Sequence, residues 1–566
     1  MLSYLPYAVV SLLGIISLGW GGHSPWSMLL LELGAIGLLL CVLLQVLLCT
    51  GPEARSRNLE QRRAWRKLPF RVRHPRLASF MRLLKLGLLP SRRSTPEIEI
   101  LLPGRQQAAP EEVPEVDSVS FTGYRFRRAR VVTPLLLITL WITASLLPLS
   151  RDWLQRVSPH ALSIRSAAES LVQLEETPTA WPWSLASFLT ERALCLWVAY
   201  LALFYVSVCV AADPKRVERL TRLLFVAVVA AGSYGAWQWF SGVRESLGVE
   251  PSFAGIRASG SFGNPNHYAA TMEMLLLCSL GWIGYQLAPL AHTAGPSRGL
   301  LSRARVMRQE SAAKCVLVGL GMMVAGLGVI FSLSRSGIAA AVAGLAVFAL
   351  LARSRFDGQP TGVIELRRHG NEPSARVQRE AKRAVRRVWA FSLFVAAVTI
   401  WIGMNPVVQR FGGLSDLWEA ENGRQQVWLD SFGAVKDFWL TGSGLGSFQH
   451  VFPIYRSFGG VHFYTHAHND YLQLLIELGL PGLVLVLWLI VSVWIAARRA
   501  RSGLQGDAAS LYLHAGYCAA AAAIALHSLT DFSLHLPSNA ALLSVMLGVV
   551  VGFDRKNSEE SGQSWP

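Results

Sequence analysis

The chain has 566 residues, of which 52% are hydrophobic and only 16% charged, where a soluble protein of this size carries about 25% charged residues. Its net charge of +17 would suit nucleic acid, but the distribution of that charge, taken up below, points elsewhere. The cysteines (Cys41, Cys49, Cys195, Cys209, Cys278, Cys315 and Cys518) all fall in or at the ends of apolar runs, with no CxxC spacing. This argues against a disulfide framework and against a zinc site.

Apolar runs long enough to cross a bilayer recur along the chain. Twelve are expected, near 4–20, 27–49, 131–149, 189–211, 222–240, 268–289, 315–333, 337–352, 389–404, 473–497, 509–530 and 538–553. The first has no Lys/Arg-rich leader and no small-residue cleavage site, so it reads as a retained helix rather than a signal peptide. Counted from the inside, twelve spans put both termini in the cytoplasm. The loops at 50–130, 212–221, 290–314, 353–388 and 498–508, with the tail from 554, then hold most of the Lys and Arg. That is the positive-inside bias. The charge therefore reports orientation, and no nucleic-acid partner is expected.

Three parts follow from this pattern. Residues 1–130 form an N-terminal two-helix segment with a basic cytoplasmic insertion, 131–553 a polytopic membrane unit, and 554–566 a disordered cytoplasmic tail. In the insertion, "RVRHPRLASFMRLLKLGLLP" (71–90) suits a helix lying on the anionic inner leaflet, and "GRQQAAPEEVPEVDS" (104–118) reads as a linker. A second basic insertion, 353–388, ends in "ARVQREAKRAVRRVW" and reads as a basic helix; a solvated charged loop is the alternative for both insertions. On the outer side, 150–188 contains "TPTAWPWSL", whose Trp pair suits a membrane interface. The longest outer segment is 405–470. Within it 423–439 predicts an amphipathic helix with Val427, Trp428, Phe432, Val435 and Phe438 on its apolar side, broken by "TGSGLGSF". No internal repeat is found.

Polar groups at the rim of a membrane bundle are costly and so are functional candidates. Five such stretches share the outer side: "GIRASGSFGNPNHYAA" (255–270), "SLSRSGIAA" (332–340), "NGRQQVW" (422–428), "THAHNDYLQ" (465–473) and "HSLTDFSLHLPSN" (527–539). Arg335 stands between two apolar spans with almost no loop around it, where it needs an anion, a helix end or lipid headgroups. Arg257 and Arg424 lie in more polar loops, where simple exposure also accounts for them. Three outer arginines beside histidines fit an anion such as pyrophosphate, since guanidinium offers planar paired donors and a permanent charge. Asn264 or Asn266 suits a helix cap after the turn at Pro265. Asn469, Asp470, Gln473 and Glu477 fall on one stripe that should face the bundle. His468, just before that helix, can serve as a cap neighbour or as a general base near neutral pH.

"HNDYLQLLIELGLPG" fits the pattern HN, nine residues, G, two residues, G, at His468, Asn469, Gly479 and Gly482. With "GRQQVW…GSGLGSF" upstream, and "RASGSFGNPNHYA" and "SLSRSG" before that, residues 220–500 resemble the O-antigen ligase and polymerase superfamily of bacterial membrane proteins. The resemblance implies an all-α integral membrane protein, a GT-C-like bundle of about twelve transmembrane helices with a large periplasmic loop at 405–470, in the bacterial inner membrane. It implies glycan transfer on the periplasmic face, from an undecaprenyl-diphosphate-linked donor to a lipid-core, glycan or protein acceptor, with no metal and no cofactor. Carried over by motif, His468 is the base and Arg257 and Arg335 hold the diphosphate. Arg424, matched by its "GR…W" context, is a third arginine, with Asn266 and Asn469 as further substrate contacts. The cytoplasmic insertions leave room for coupling to a polysaccharide synthesis complex. A transporter with the polar stripe along its path, or a scaffold using the basic loops, are the alternatives; neither accounts as well for the one-sided Arg and His set.

Overall fold

The computed structural model describes residues 4–18, 25–50, 121–172, 178–246, 257–292, 318–353, 424–459, 463–504 and 507–553. The stretches expected at 71–90, 104–118, 389–404 and 554–566, and the basic helix within 353–388, lie outside the described residues. The chain divides into two compact units, Met1–Leu39 with Gly123–Pro566, and Leu40–Thr122. In the second the described residues, 40–50 and 121–122, are helical.

In chain order the elements are α1 (Leu5–Leu18), α2 (Pro25–Thr50), α3 (Phe121–Ala144), β1 (Leu149–Ser150), α4 (Arg151–Val157), α5 (Pro159–Val172), β2 (Ala180–Trp181), α6 (Ser187–Ala211), α7 (Pro214–Ser241) and α8 (Pro265–His292). They continue with α9 (Val318–Phe331), then α10 (Arg335–Arg353), α11 (Arg424–Phe438), α12 (Phe448–Tyr455), α13 (Asp470–Gly503), α14 (Ala508–His527), a 3-10 turn (Ser533–His535) and α15 (Pro537–Gly552). The described residues are mostly helical, and their strands are a single antiparallel pair that sets Leu149 against Trp181. Among the described residues, six helical stretches are long and apolar enough to cross a membrane: Pro25–Val42, Ser187–Ala211, Pro214–Ser241, Arg335–Ala352, Asp470–Gly503 and Ala509–His527. Shorter apolar helices fall at four more of the expected runs, and α8 covers 268–289.

Local chemistry sets many of the helix ends. Asp213 accepts from Lys215 N ahead of Pro214, and Gly242 at φ 70° closes α7. Asp507 caps α14 through Ser510 N. The long α13 breaks inside the expected span, where Gly479 has φ 67° and ψ −173°. Only glycine adopts that conformation without strain. A side chain there would also stand 2.7 Å from Gly442 N, and Leu480 N donates to Trp439 O at 2.7 Å. The motif glycine at 479 thus lets the "TGSG" turn touch α13.

The most intimate helix pair is α8 with α14. A Cβ on Gly281 would stand 2.8 Å from Tyr512 O, and one on Gly516 would stand 2.9 Å from Gly281 Cα. In an apolar medium, small residues hold helices together because they let backbones meet. At one end of the bundle α4, α5, α11 and α12 share a separate small core with Leu154, Ala161, Phe438 and Phe452 at its centre. Trp183, expected at a membrane interface, is buried there against Trp141, with ring centroids 5.5 Å apart. The amphipathic helix expected at 423–439 is present as α11, but rotated: Val427, Ser431, Ala434 and Phe438 face the core, while Phe432 is 59% exposed.

Gly516→Val should overpack the α8–α14 contact and cost about 1–3 kcal/mol, read as a lower Tm in detergent. Gly459→Ala, where an added Cβ meets nothing within 4 Å, should leave Tm unchanged.

Candidate functional site

Four turns meet at the end of the bundle that carries the small core. The first precedes α8, where Asn264 Oδ1 accepts from Asn266 N at 2.9 Å and so caps the helix. That leaves Asn266 for another task. Its Oδ1 accepts from Arg257 Nη2 at 3.2 Å, and its Nδ2 donates to Asp531 Oδ2 at 2.7 Å.

The second turn is Ser332–Ser334. Ser334 Oγ accepts from Gly337 N at 3.2 Å, starting α10 with Arg335 as its first residue. Arg257 Nε donates to Ser332 O at 2.9 Å, and Ala258 N to Phe331 O at 2.9 Å. Arg257 therefore ties the turn that bears Arg335 to Asn266.

The third is the lead-in to α13. Asn469 Oδ1 accepts from Tyr471 N and Leu472 N, so its side-chain oxygen caps the helix. Ala467 is held on both sides, its carbonyl by Trp428 Nε1 at 2.8 Å and its N–H by Gln473 Oε1 at 3.1 Å. Between these anchors His468 takes φ 54°.

The fourth turn, between α14 and α15, carries Asp531. Its carboxylate has no solvent exposure and gathers the others: Arg424 Nη2 at 3.6 Å, and His267 Nε2 and His468 Nδ1 each at 3.9 Å. Arg424 Nη1 also donates to Thr530 O at 3.2 Å. The next residue, Phe532, lies among three imidazoles, with His466 stacked at 4.3 Å and His267 and His468 edge-on at 4.6 and 4.8 Å. Burial pushes the Asp531 carboxyl up, but Arg424, His267, His468 and His527 outweigh it and hold the group at about 2. Beneath the turn, His527 Nδ1 and Glu273 Oε1 form a buried pair 3.1 Å apart.

The polar stripe of α13 does face protein, and its partners are now visible. Asp470 binds His535 Nδ1 at 2.7 Å and accepts from Leu534 N. Burial pushes His535 down, but the hydrogen bond and charge of Asp470, with the charge of Glu477, raise it overall. Gln473 donates to Glu477 Oε1 at 2.9 Å. Glu477 accepts from Gly446 N at 2.8 Å and Phe448 N at 3.2 Å, the latter at the start of α12. The stripe holds loops in place.

Of the residues singled out in the sequence, Arg257, Asn266, Arg424 and His468 are thus linked through Asp531. Arg335 starts the helix whose preceding turn binds Arg257, and Asn469 is a helix cap. Asp531, His267 and the Glu273–His527 pair were missed. The available signal was an acid and two histidines packed into the apolar turn "HSLTDFSLHLP". Among the described residues no three His, Cys, Asp or Glu side chains are grouped closely enough to hold a metal ion.

Arg424 and the neighbouring histidines hold the Asp531 carboxyl well below the usual carboxylate range, at about 2. A depressed carboxylate contributes stability above its unfolded pKa and loses it as pH falls through the folded value. Asp531→Asn should therefore remove about 2 kcal/mol at pH 7. The variant's Tm should also fall less than wild type's between pH 4 and pH 2.

Among curated proteins no match to the chain is found. The family model described as O-antigen ligase (Wzy_C) matches residues 320–487, from α9 to just past the break in α13. The matched stretch holds Arg335, Arg424, His468 and Asn469, while Arg257, Asn266 and Asp531 reach the site from outside it. This match covers less than a third of the chain, and it supports the O-antigen ligase superfamily of membrane proteins.

Proposed function

We propose that the protein is a membrane glycosyltransferase that moves a glycan from a polyprenyl-diphosphate carrier, of the undecaprenyl type in a bacterial inner membrane, to an acceptor hydroxyl. One observation carries this reading: residues from three separate segments, with two imidazoles and a guanidinium among them, converge on one buried carboxylate at one end of a membrane bundle, and Arg257 joins them through Asn266. The concentration of Lys and Arg in the opposite loops supports a periplasmic position for that end.

In this scheme His468 takes the proton of the acceptor hydroxyl. The hydroxyl oxygen bonds to the anomeric carbon from the face opposite the diphosphate. The bond from that carbon to the diphosphate oxygen breaks, its electron pair leaves with the diphosphate, and the configuration inverts. Asp531 lies 3.9 Å from His468 Nδ1, close enough for its fixed charge to favour the imidazolium formed as the proton arrives. Arg257 and Arg335 stabilise charge on the departing diphosphate, the role that needs planar, permanently charged donors. The contacts of Arg424 and Asn266 support a supplementary role for both, holding Asp531 charged and Arg257 in orientation beside the substrate. Diphosphate is a good leaving group, so this scheme calls for neither a protonating acid, a metal nor a nucleotide.

The test is glycan transfer by purified protein in detergent with a polyprenyl-diphosphate glycan from its host. Lipid-core, glycan and protein acceptors are offered separately, with no added metal or nucleotide. Wild type should transfer to one acceptor class, and His468→Ala should lose about 10²–10⁴-fold in rate. Arg335→Ala should fail in the same assay while keeping the wild-type Tm. Asn469→Ala, which loses a helix cap worth about 1 kcal/mol, should melt earlier yet still transfer. Full activity in His468→Ala would remove the central assignment.

A further inference from the structure

Helix α11 has an outer stripe of unusual make-up. Its buried positions, 427, 431, 434 and 438, face the small core. Turned away from them are Gln425, Leu429, Phe432 and Lys436, with Trp439 just past the helix end in the same register, all exposed and spaced as one stripe. Leu429, Phe432 and Trp439 are each more than half exposed. The acidic residues of the helix point elsewhere: Asp430 accepts from Ser457 N at 2.7 Å, and Asp437 from the Tyr455 hydroxyl at 2.8 Å. The one charge on the stripe is the cation of Lys436.

The stripe ends against a membrane-crossing helix. Leu480 N of α13 donates to Trp439 O. From there exposed apolar surface continues through Leu440, Leu480, Val484 and Leu487 along α13, which is apolar enough to cross a bilayer. Large apolar residues continuous with the outer face of a crossing helix, flanked by one Lys and one Trp, match a helix lying in the boundary between headgroups and acyl chains. There Lys reaches lipid phosphate and Trp sits at the headgroup level.

We propose that α11 is an interfacial helix whose Leu429–Phe432–Trp439 stripe is covered by phospholipid of the leaflet on the site's side. Its first residue is Arg424, which binds Asp531, so lipid contact fixes the depth at which this part of the site sits. On the reading proposed above, that depth is where the diphosphate of a lipid-linked donor lies. The lipid contact itself does not depend on that reading.

The full-length protein is reconstituted into phosphatidylethanolamine–phosphatidylglycerol vesicles, with the photoreactive residue p-benzoylphenylalanine replacing Phe432 and, as a reference on α13, Leu487. Irradiation should give phospholipid adducts at both positions, seen by mass spectrometry of the purified protein. Adducts at 487 with none at 432 would overturn the proposal by placing the stripe in water. A protein–protein cross-link at 432 would overturn it in favour of a second copy or another subunit. None of these outcomes depends on transfer activity, so loss of the glycosyltransferase reading would leave the result intact.

Discussion

A carboxylate sealed from solvent at the end of an apolar bundle keeps its charge only when cations and hydrogen-bond donors are brought to it. Asp531 is such a group, and its neighbours arrive from widely separated parts of the chain: Asn266 and His267 at the start of α8, Arg424 at the start of α11, and His468 ahead of α13. None of these segments would meet the others through local structure alone. The requirement to satisfy one buried charge links the turns into a unit, and the groups that satisfy it are the ones suited to acid–base and phosphate chemistry. Folding and site assembly are in this respect a single event.

The same logic governs the polar groups at the head of α13. An apolar surrounding tolerates exposed backbone amides badly, yet the "TGSGLGSF" turn must pack against the helix at the Gly479 break. Glu477 resolves the conflict by accepting from Gly446 N and Phe448 N, and Gln473 braces both Glu477 and Ala467. Charges that look misplaced in a membrane span thus terminate loops that would otherwise have unsatisfied amides. On the other side of the site, α8 and α14 meet backbone to backbone at Gly281 and Gly516, bringing Glu273 and His527 into contact beneath the Asp531 turn.

What could be read from the sequence was what depends on local pattern. Apolar runs gave the helices because length and hydropathy are properties of a single segment, and Gly479 stood out as part of a spaced motif. The outer turns could be grouped because alternation of spans puts them on one side. The partners within the group could not be read, because they are set by tertiary packing. Asp531 is one acid in a short turn, and only its complete burial makes it a focus. Asn266 and Asn264 are equally good caps by composition, and the fold gives the cap to Asn264. The pairing of Arg424 with Asp531 could not be read either, because nothing local reveals that a carboxylate waits 107 residues downstream in sequence. The rotation of α11 escaped for a related reason: Phe432 reads as core on a hydropathy scale, whereas the position that fits the tight contact belongs to Ser431.

Backbone strain shows how the chain aims its side chains. Among the described residues, the two non-glycine residues at positive φ are Leu333 at 49° and His468 at 54°. Each lies in a turn immediately before a helix, and each turn carries a residue singled out for chemistry, Arg335 in one case and His468 itself in the other. Such conformations cost about 1–3 kcal/mol and persist only where surrounding bonds over-determine them. Both turns meet that condition. Ser332 and Ser334 close the first through Val329 O, Ser334 N and Gly337 N. Trp428 and Gln473 grip Ala467, and Asn469 caps the helix on the far side of His468. A relaxed residue at 468 would let the chain pass smoothly into α13. The left-handed turn instead throws the imidazole sideways onto the Phe532 edge and toward Asp531, so backbone geometry and the buried charge act together to hold one histidine in place.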